Sequence, residues 1–157
     1  MKSYEWDDEN PYFEWDEEYS VRNKFIDNQH KNILIAINTL IDAINNEQPE
    51  KLCSKLHRAL IAYAERHFSH EEALLEKHNF SNLEKHKKSH QYFVQKVNEI
   101  YQAHKKQQEE LTVYYHKQDK DLEIAPKMLE FLKLWFLKHI LKIDKEYTYF
   151  LYVRGEE

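Results

Sequence analysis

Apolar residues recur along most of this chain at intervals of three and four, the period that places a single stripe on one face of an α-helix. Ile26, Ile33, Ile37, Leu40 and Ile44 mark a first helix over about 21–45. Asn45-Asn46-Glu47-Gln48 then reads as a turn, and Pro49 suits the first position of a second helix. That helix carries Leu52, Leu56, Leu60, Tyr63 and Leu74 on its inner face and continues to about His78. A break follows at Asn79 to Asn82, where Ser81-Asn82-Leu83-Glu84 has the form of a capping box. The third helix buries Leu83, Phe93, Val97 and Ile100, then turns strongly polar after Tyr101, so it is expected to project past the core before a connection around 117–125. Pro126 opens a fourth helix to about Tyr152, with Met128, Leu132, Trp135, Ile143 and Phe150 on its stripe. Residues 1–20 are acidic and aromatic, with Glu5-Trp6-Asp7 echoed at Glu14-Trp15-Asp16. They read as an extended arm laid over the helices, kept non-helical by Pro11.

The pattern predicts an all-α fold: an antiparallel up-down-up-down four-helix bundle with an extended N-terminal arm. It forms a single domain over 1–157, with residues 101–125 as an extended connection between the third and fourth helices. One glycine, Gly155, and three prolines leave few inexpensive left-handed turns, which favours long helices. A chain of 157 residues buries a core without staples. The single cysteine, Cys53, excludes an internal disulfide and reads as a small residue at a helix interface. Neither a signal-peptide core nor a long apolar run is evident, so the expectation is a soluble, cytoplasmic protein with no membrane partner. A formal charge of −5, with Lys and Glu intermixed, argues against nucleic acid as a partner; Lys85, Lys87 and Lys88 read as a solvated face.

The apolar stripes are interrupted by polar residues. His30 falls between Ile26 and Ile33, and taken alone a buried histidine is more often satisfied by a hydrogen bond than by a metal. The second helix, however, adds His67 and Glu71, and the third adds His86 and His90, each pair four residues apart and therefore on one face. An unpaired buried carboxylate costs several kcal/mol or takes up a proton, so an inward Glu71 needs a cation. The fourth helix supplies His139 and, five residues later, Asp144. Five residues of regular helix leave two side chains about 140° apart. Both can face inward only if the helix widens, which predicts a π-bulge between them. Five imidazoles and two carboxylates exceed what one tetrahedral zinc uses. They suit two six-preferring ions that share bridging carboxylates, although imidazole alone does not name the metal. His57, His70, His78, His104 and His116 are expected on the surface or behind the ligands.

The segments Trp15 to Ser20, Ile26-Asp27-Asn28-Gln29-His30, His67-Phe68-Ser69-His70-Glu71-Glu72, His86 to His90, and Trp135 followed by His139-Ile140 and Asp144 resemble a hemerythrin domain of the bacterial single-domain type. The resemblance implies two Fe ions with an oxo or hydroxo bridge. His86, His90 and His139 would hold one iron, His30 and His67 the other, and Glu71 and Asp144 would span both. The iron with two imidazoles keeps a sixth position open, where dioxygen enters. Ile33, Phe68, Trp135 and Ile140 lie one turn or one residue from these ligands and are the candidate walls of a dry dioxygen pocket, with ordinary core an equal reading for each singly.

The implied function is reversible dioxygen binding, for storage, delivery or supply of an oxygen-using enzyme, with no catalytic residues. An oxygen or redox sensor is the alternative from another class. A di-iron enzyme has less support, because the Glu-x-x-His pairs of ferritin-like sites occur at none of the 10 histidines. Two departures from the family stand out. Arg22 occupies a position where glycine is common, and the link between His90 and His139 is longer than usual. That link contains Tyr101, Tyr114, Tyr115 and His116; it and the N-terminal arm are the candidate surfaces for self-association or partner docking.

Overall fold

The computed structural model describes residues 11–46, 49–114 and 124–157; within these, 49–51, 107, 108 and 110–114 are described by backbone alone. The first copy of Glu-Trp-Asp, Tyr115, His116 and most of the expected connection, 117–123, lie outside the described residues. Among the described residues there is no strand.

Helix α1 spans Lys24–Asn45, starting three residues later than the apolar period implies. Arg22 has φ of 60°, in the left-handed region, and this reversal stops helix from propagating further back. Asn23 is extended and caps α1, its side-chain oxygen accepting from the Ile26 N–H at 3.0 Å. Asp27 secures the entry from the first turn, accepting from the Val21 N–H at 2.8 Å and the Ser20 hydroxyl at 2.6 Å. A left-handed conformation costs a residue with a Cβ about 1 kcal/mol. The Arg22 guanidinium lies 5.0 Å from the centre of the Tyr152 ring, a contact that offsets part of that cost.

Helix α2, Pro49–Lys77, ends in a Schellman motif. Asn79 takes the left-handed position with φ of 56°, the Phe80 N–H reaches the Leu75 carbonyl at 2.9 Å, and the Asn79 N–H reaches Glu76 at 3.0 Å. Leu75 and Phe80 pack in one apolar cluster, so the stop signal is also a core contact. This explains why Leu75 is buried while Leu74, the expected inner residue, is half-buried. Helix α3, Leu83–Tyr114, follows at once. At 1.5 Å per residue it is about 48 Å long. Helix α4, Ile124–Trp135, begins two residues before Pro126, which sits in the first turn where its missing N–H has no partner to lose.

The fourth rod then changes pitch: Phe136–Ile143 is π-helical, and α5, Lys145–Tyr152, resumes the α form. The expected widening between His139 and Asp144 is present, with the Asp144 N–H bonded to the His139 carbonyl at 3.0 Å across five residues instead of four.

Contacts run from α1 to α2, α2 to α3, α3 to α4 and back from α4 to α1, which closes a four-membered bundle. Short connections between α1 and α2 and between α2 and α3 make neighbours antiparallel. The arm is tied on by Asn38, whose side-chain amide donates to the Phe13 carbonyl and accepts from the Phe13 N–H, both at 2.8 Å. Phe13 and Tyr19 meet Phe136 edge-on at 6.2 and 5.3 Å between ring centres.

Two apolar clusters fill the interior. The larger includes Ile33, Leu40, Leu60, Phe93, Leu132 and Ile140. The smaller consists of Val21, Ile26, Leu75, Tyr147 and Leu151. Along α1, His30 lies between Ile26 of one cluster and Ile33 of the other, so a polar layer is sandwiched between two dry ones. His104, expected on the surface or behind the ligands, is buried beside Ile100 and Ile124, because α3 still has α4 against it at that level. No helix among the described residues is long and apolar enough to cross a membrane.

Candidate metal centre

Each helix contributes to the polar layer through its own periodicity. His30 is carried by α1, His67 and Glu71 by one face of α2, His86 and His90 by one face of α3, and His139 and Asp144 by the π segment and its end. All seven side chains are buried, with His30, Glu71 and Asp144 at 0% exposure.

The side chains collect into two groups. Glu71, His86, His90, His139 and Asp144 offer donor atoms within 4.8 Å of one another, and so do His30, His67, Glu71 and Asp144. Glu71 and Asp144 alone belong to both. One side therefore has three imidazoles, the other has two, and two carboxylates lie between them. The His86 and His90 ring centres are 4.5 Å apart, His86 and His139 are 5.0 Å apart, and His30 and His67 are 4.9 Å apart.

The close contacts within these groups are not those of a satisfied hydrogen-bonded core. His30 Nε2 lies 3.2 Å from Asp144 Oδ2, His139 Nε2 lies 3.0 Å from Asp144 Oδ1, and His90 Nε2 lies 2.9 Å from Glu71 Oε2. These three ring nitrogens and both Asp144 oxygens nevertheless have no hydrogen-bond partner among the described residues. Buried polar atoms are nearly always paired. His86 Nε2 does hydrogen-bond Glu71 Oε2 at 2.9 Å, but the remaining nitrogen lone pairs and carboxylate oxygens that converge without such bonds are what a cation between them would satisfy. The donor set, imidazole plus shareable carboxylate, fits two transition-metal ions.

Charge is held here against a strong desolvation penalty. Burial and the neighbouring Asp144 push the Glu71 pKa up, but His67, His86 and His90 outweigh them and hold it well below the usual carboxylate value. Burial also raises that of Asp144, and His139, His30 and His86 overcome it, so this carboxyl too is well below normal. Burial drives His67 down to about 3 and keeps it neutral. For His86 burial acts in the same direction, but contacts with Asp144 and Glu71 carry it up to about 10.

The outer nitrogens of three imidazoles have partners that sequence periodicity did not single out. The Nδ1 atoms of His67, His139 and His90 lie 2.7 Å from Gln29 Oε1, Ser89 Oγ and Glu72 Oε1, respectively. With each Nδ1 engaged, Nε2 faces the centre, an arrangement typical of ligating histidines. Tyr147, fully buried on α5, donates its hydroxyl to Glu71 Oε1. A signal for Gln29, Glu72 and Ser89 exists in their adjacency to the assigned ligands His30, Glu71 and His90, but adjacency alone does not separate them from solvated neighbours.

Ile33, Phe68, Trp135 and Ile140 are all buried in the larger apolar cluster. Phe68 lies flat on His90, with ring centres 3.9 Å apart and planes 6° apart, and Trp135 lies flat on His139 at 3.9 Å and 11°. His57, His70 and His78 lie outside both groups. His57 contacts Asn98, His70 contacts the Phe25 ring and His78 contacts Glu156.

Residues 22–151 match the family model of the hemerythrin HHE cation binding domain. The chain is 29% identical over 138 residues to a bacteriohemerythrin of Clostridium acetobutylicum, covering 86% of this chain and 98% of that protein. It is 31% identical over 135 residues to a hemerythrin-like protein of Naegleria gruberi, covering 86% and 90%. A myohemerythrin of Theromyzon tessulatum matches at 23% identity over 135 residues, again covering 86% and 90%.

Proposed function

Because this chain belongs to the hemerythrin family, we propose that it holds two iron ions in the polar layer and binds dioxygen reversibly at one of them. The observation that carries this reading is the asymmetry of the two donor groups, three imidazoles against two, with Glu71 and Asp144 common to both. In this assignment His86, His90 and His139 would hold one ion, His30 and His67 would hold the other, and Glu71 and Asp144 would be shared by both. The ion on the two-imidazole side would have one protein donor fewer, leaving it a position for a small molecule. When bound, a ferrous pair supplies the electrons that dioxygen takes on binding and recovers them on release.

The chain's own residues set whether that exchange is clean. Gln29, Glu72 and Ser89 fix which nitrogen His67, His90 and His139 present. Tyr147 holds the Glu71 carboxylate in place. Ile33, Phe68, Trp135 and Ile140 form an apolar wall that excludes bulk water, and exclusion of water suppresses proton delivery and irreversible oxidation. Stopped-flow mixing of the anaerobic diferrous protein with dioxygen, followed by degassing, tests the reading. Return of the starting spectrum is the expected result. Conversion to a stable ferric state would replace the carrier with an enzyme or a leaky site.

One observation favours a sensing role alongside binding. Phe13 and Tyr19 of the arm rest on Phe136, the first residue of the π segment that carries His139. A change at the centre that shifts this segment would reach the arm directly. Redox-dependent protease sensitivity within 11–20 would distinguish sensing from storage.

A further inference from the structure

Outside the seven assigned ligand residues, three buried side-chain polar atoms among the described residues lack a hydrogen-bond partner: the Tyr63 hydroxyl, Trp135 Nε1 and the Thr148 hydroxyl. Trp135 lies flat on His139, so its N–H runs parallel to that imidazole and not toward it. Thr148 lines the outer surface with Ser20, Arg22 and Tyr149. Tyr63 differs from both.

Tyr63 precedes His67 by one turn of α2, and their rings stack with centres 4.9 Å apart and planes 23° apart. Its ring centre lies 6.0 Å from that of Phe68, edge-on, and 6.2 Å from that of Phe93. The ring is thus on the two-imidazole side, against a wall of the candidate pocket. Burial, then the charges of Asp144 and Glu71, raise its pKa well above that of free tyrosine. Tyr147 spends its hydroxyl on Glu71, whereas that of Tyr63 remains unspent.

We propose that the Tyr63 hydroxyl is the hydrogen-bond donor for a small anion seated at the open position beside His30 and His67. The inference rests on the two-ion reading above. A buried hydroxyl with no partner is unfavourable, and a ligand that arrives with an acceptor atom and negative charge supplies the missing bond. The pocket is then apolar on its walls but selective at one point. It favours anionic occupants over neutral ones of the same size, and Tyr63 acts as a positioning residue without being an iron ligand.

Azide is the probe, titrated into the diferric protein and followed by absorption for wild type and Tyr63→Phe. The variant keeps the stacked ring and is expected to hold two irons, while azide binds about tenfold more weakly or worse, as loss of a hydrogen bond to a charged group implies. The metal-free variant should melt no lower than wild type, because the hydroxyl removed has no protein partner. The azide stretching band should shift on exchange into deuterated solvent in wild type and lose that shift in the variant. Equal azide affinity in two fully loaded proteins would overturn the role of Tyr63 alone, as would loss of iron from the variant. Failure of wild type to hold two irons would instead overturn the functional reading. Should the variant not fold, the absence of a deuterium shift in wild type would by itself refute the donor.

Discussion

Replacing Gln29 with Leu removes one acceptor from behind the two-imidazole half of the centre and leaves every assigned ligand in place. Gln29 and His67 are both buried, with Oε1 and Nδ1 2.7 Å apart. The contact keeps the proton on Nδ1 and leaves Nε2 free to face inward. Leucine has a similar reach but accepts nothing. His67 can then keep an unpaired buried N–H, at about 1–3 kcal/mol, or move its proton to Nε2 and lose the ligating lone pair. At 1.4 kcal/mol per tenfold, that range is about a 5- to 150-fold loss of affinity. It brackets the roughly 10- to 100-fold typical when the outer partner of a ligating histidine is removed. The loss should fall on one ion only. Ser89→Ala, which removes the group 2.7 Å from His139 Nδ1, provides the matching test on the three-imidazole side. Iron content after dialysis against graded chelator reads the effect. Gln29→Leu should drop from two irons to one at a chelator concentration about an order of magnitude below that needed for wild type, and retain the second iron normally. Retention of both irons as in wild type, or loss of both together, would refute the reasoning.

Two further outcomes follow from the same geometry. In the metal-free protein His86 is raised to about 10 despite its burial, by contacts with Asp144 and Glu71. A raised pKa stabilises the fold fully below the unfolded value near 6.5 and stops doing so as pH climbs through about 10. The melting temperature of metal-free wild type should therefore fall toward that of His86→Gln across this window, and metal uptake near neutrality should release a proton, visible as a buffer-dependent heat; a constant gap between the two proteins would contradict this. Asn38→Ala removes both 2.8 Å bonds to Phe13, which at about 0.5–1.5 kcal/mol each weakens arm docking by about 1–3 kcal/mol. Faster amide exchange over residues 13–20 with unchanged iron content is expected, and unaltered exchange would show that the arm is held by its rings alone.

The bundle was readable because each helix repeats one apolar stripe, and the site was readable because histidines and carboxylates interrupt that stripe in register. Asp144 shows how far such reasoning reaches. Its spacing from His139 was wrong for a regular helix, and the π-helical turn resolves the conflict. Backbone reversals were less accessible. Periodicity carried α1 back to Val21, whereas the left-handed Arg22 starts it at Lys24, and a single non-glycine residue with positive φ leaves no mark on an apolar pattern. Gln29, Glu72 and Ser89 escaped for a related reason. Each is one residue from an assigned ligand, His30, Glu71 or His90, and so about 100° around its helix, where a solvated residue is indistinguishable from one turned back toward an imidazole. His104 was expected on the surface or behind the ligands because it lies off the ligand set, and the packing of α4 covers it.

Glu71 joins the two donor groups, so its removal tests their shared centre most directly. Metal analysis of purified wild type and Glu71→Ala, with an absorption spectrum in air, should give two irons per chain in the first and one or none in the second. Full occupancy by two ions in Glu71→Ala, or a wild type that takes up no metal, would contradict the account.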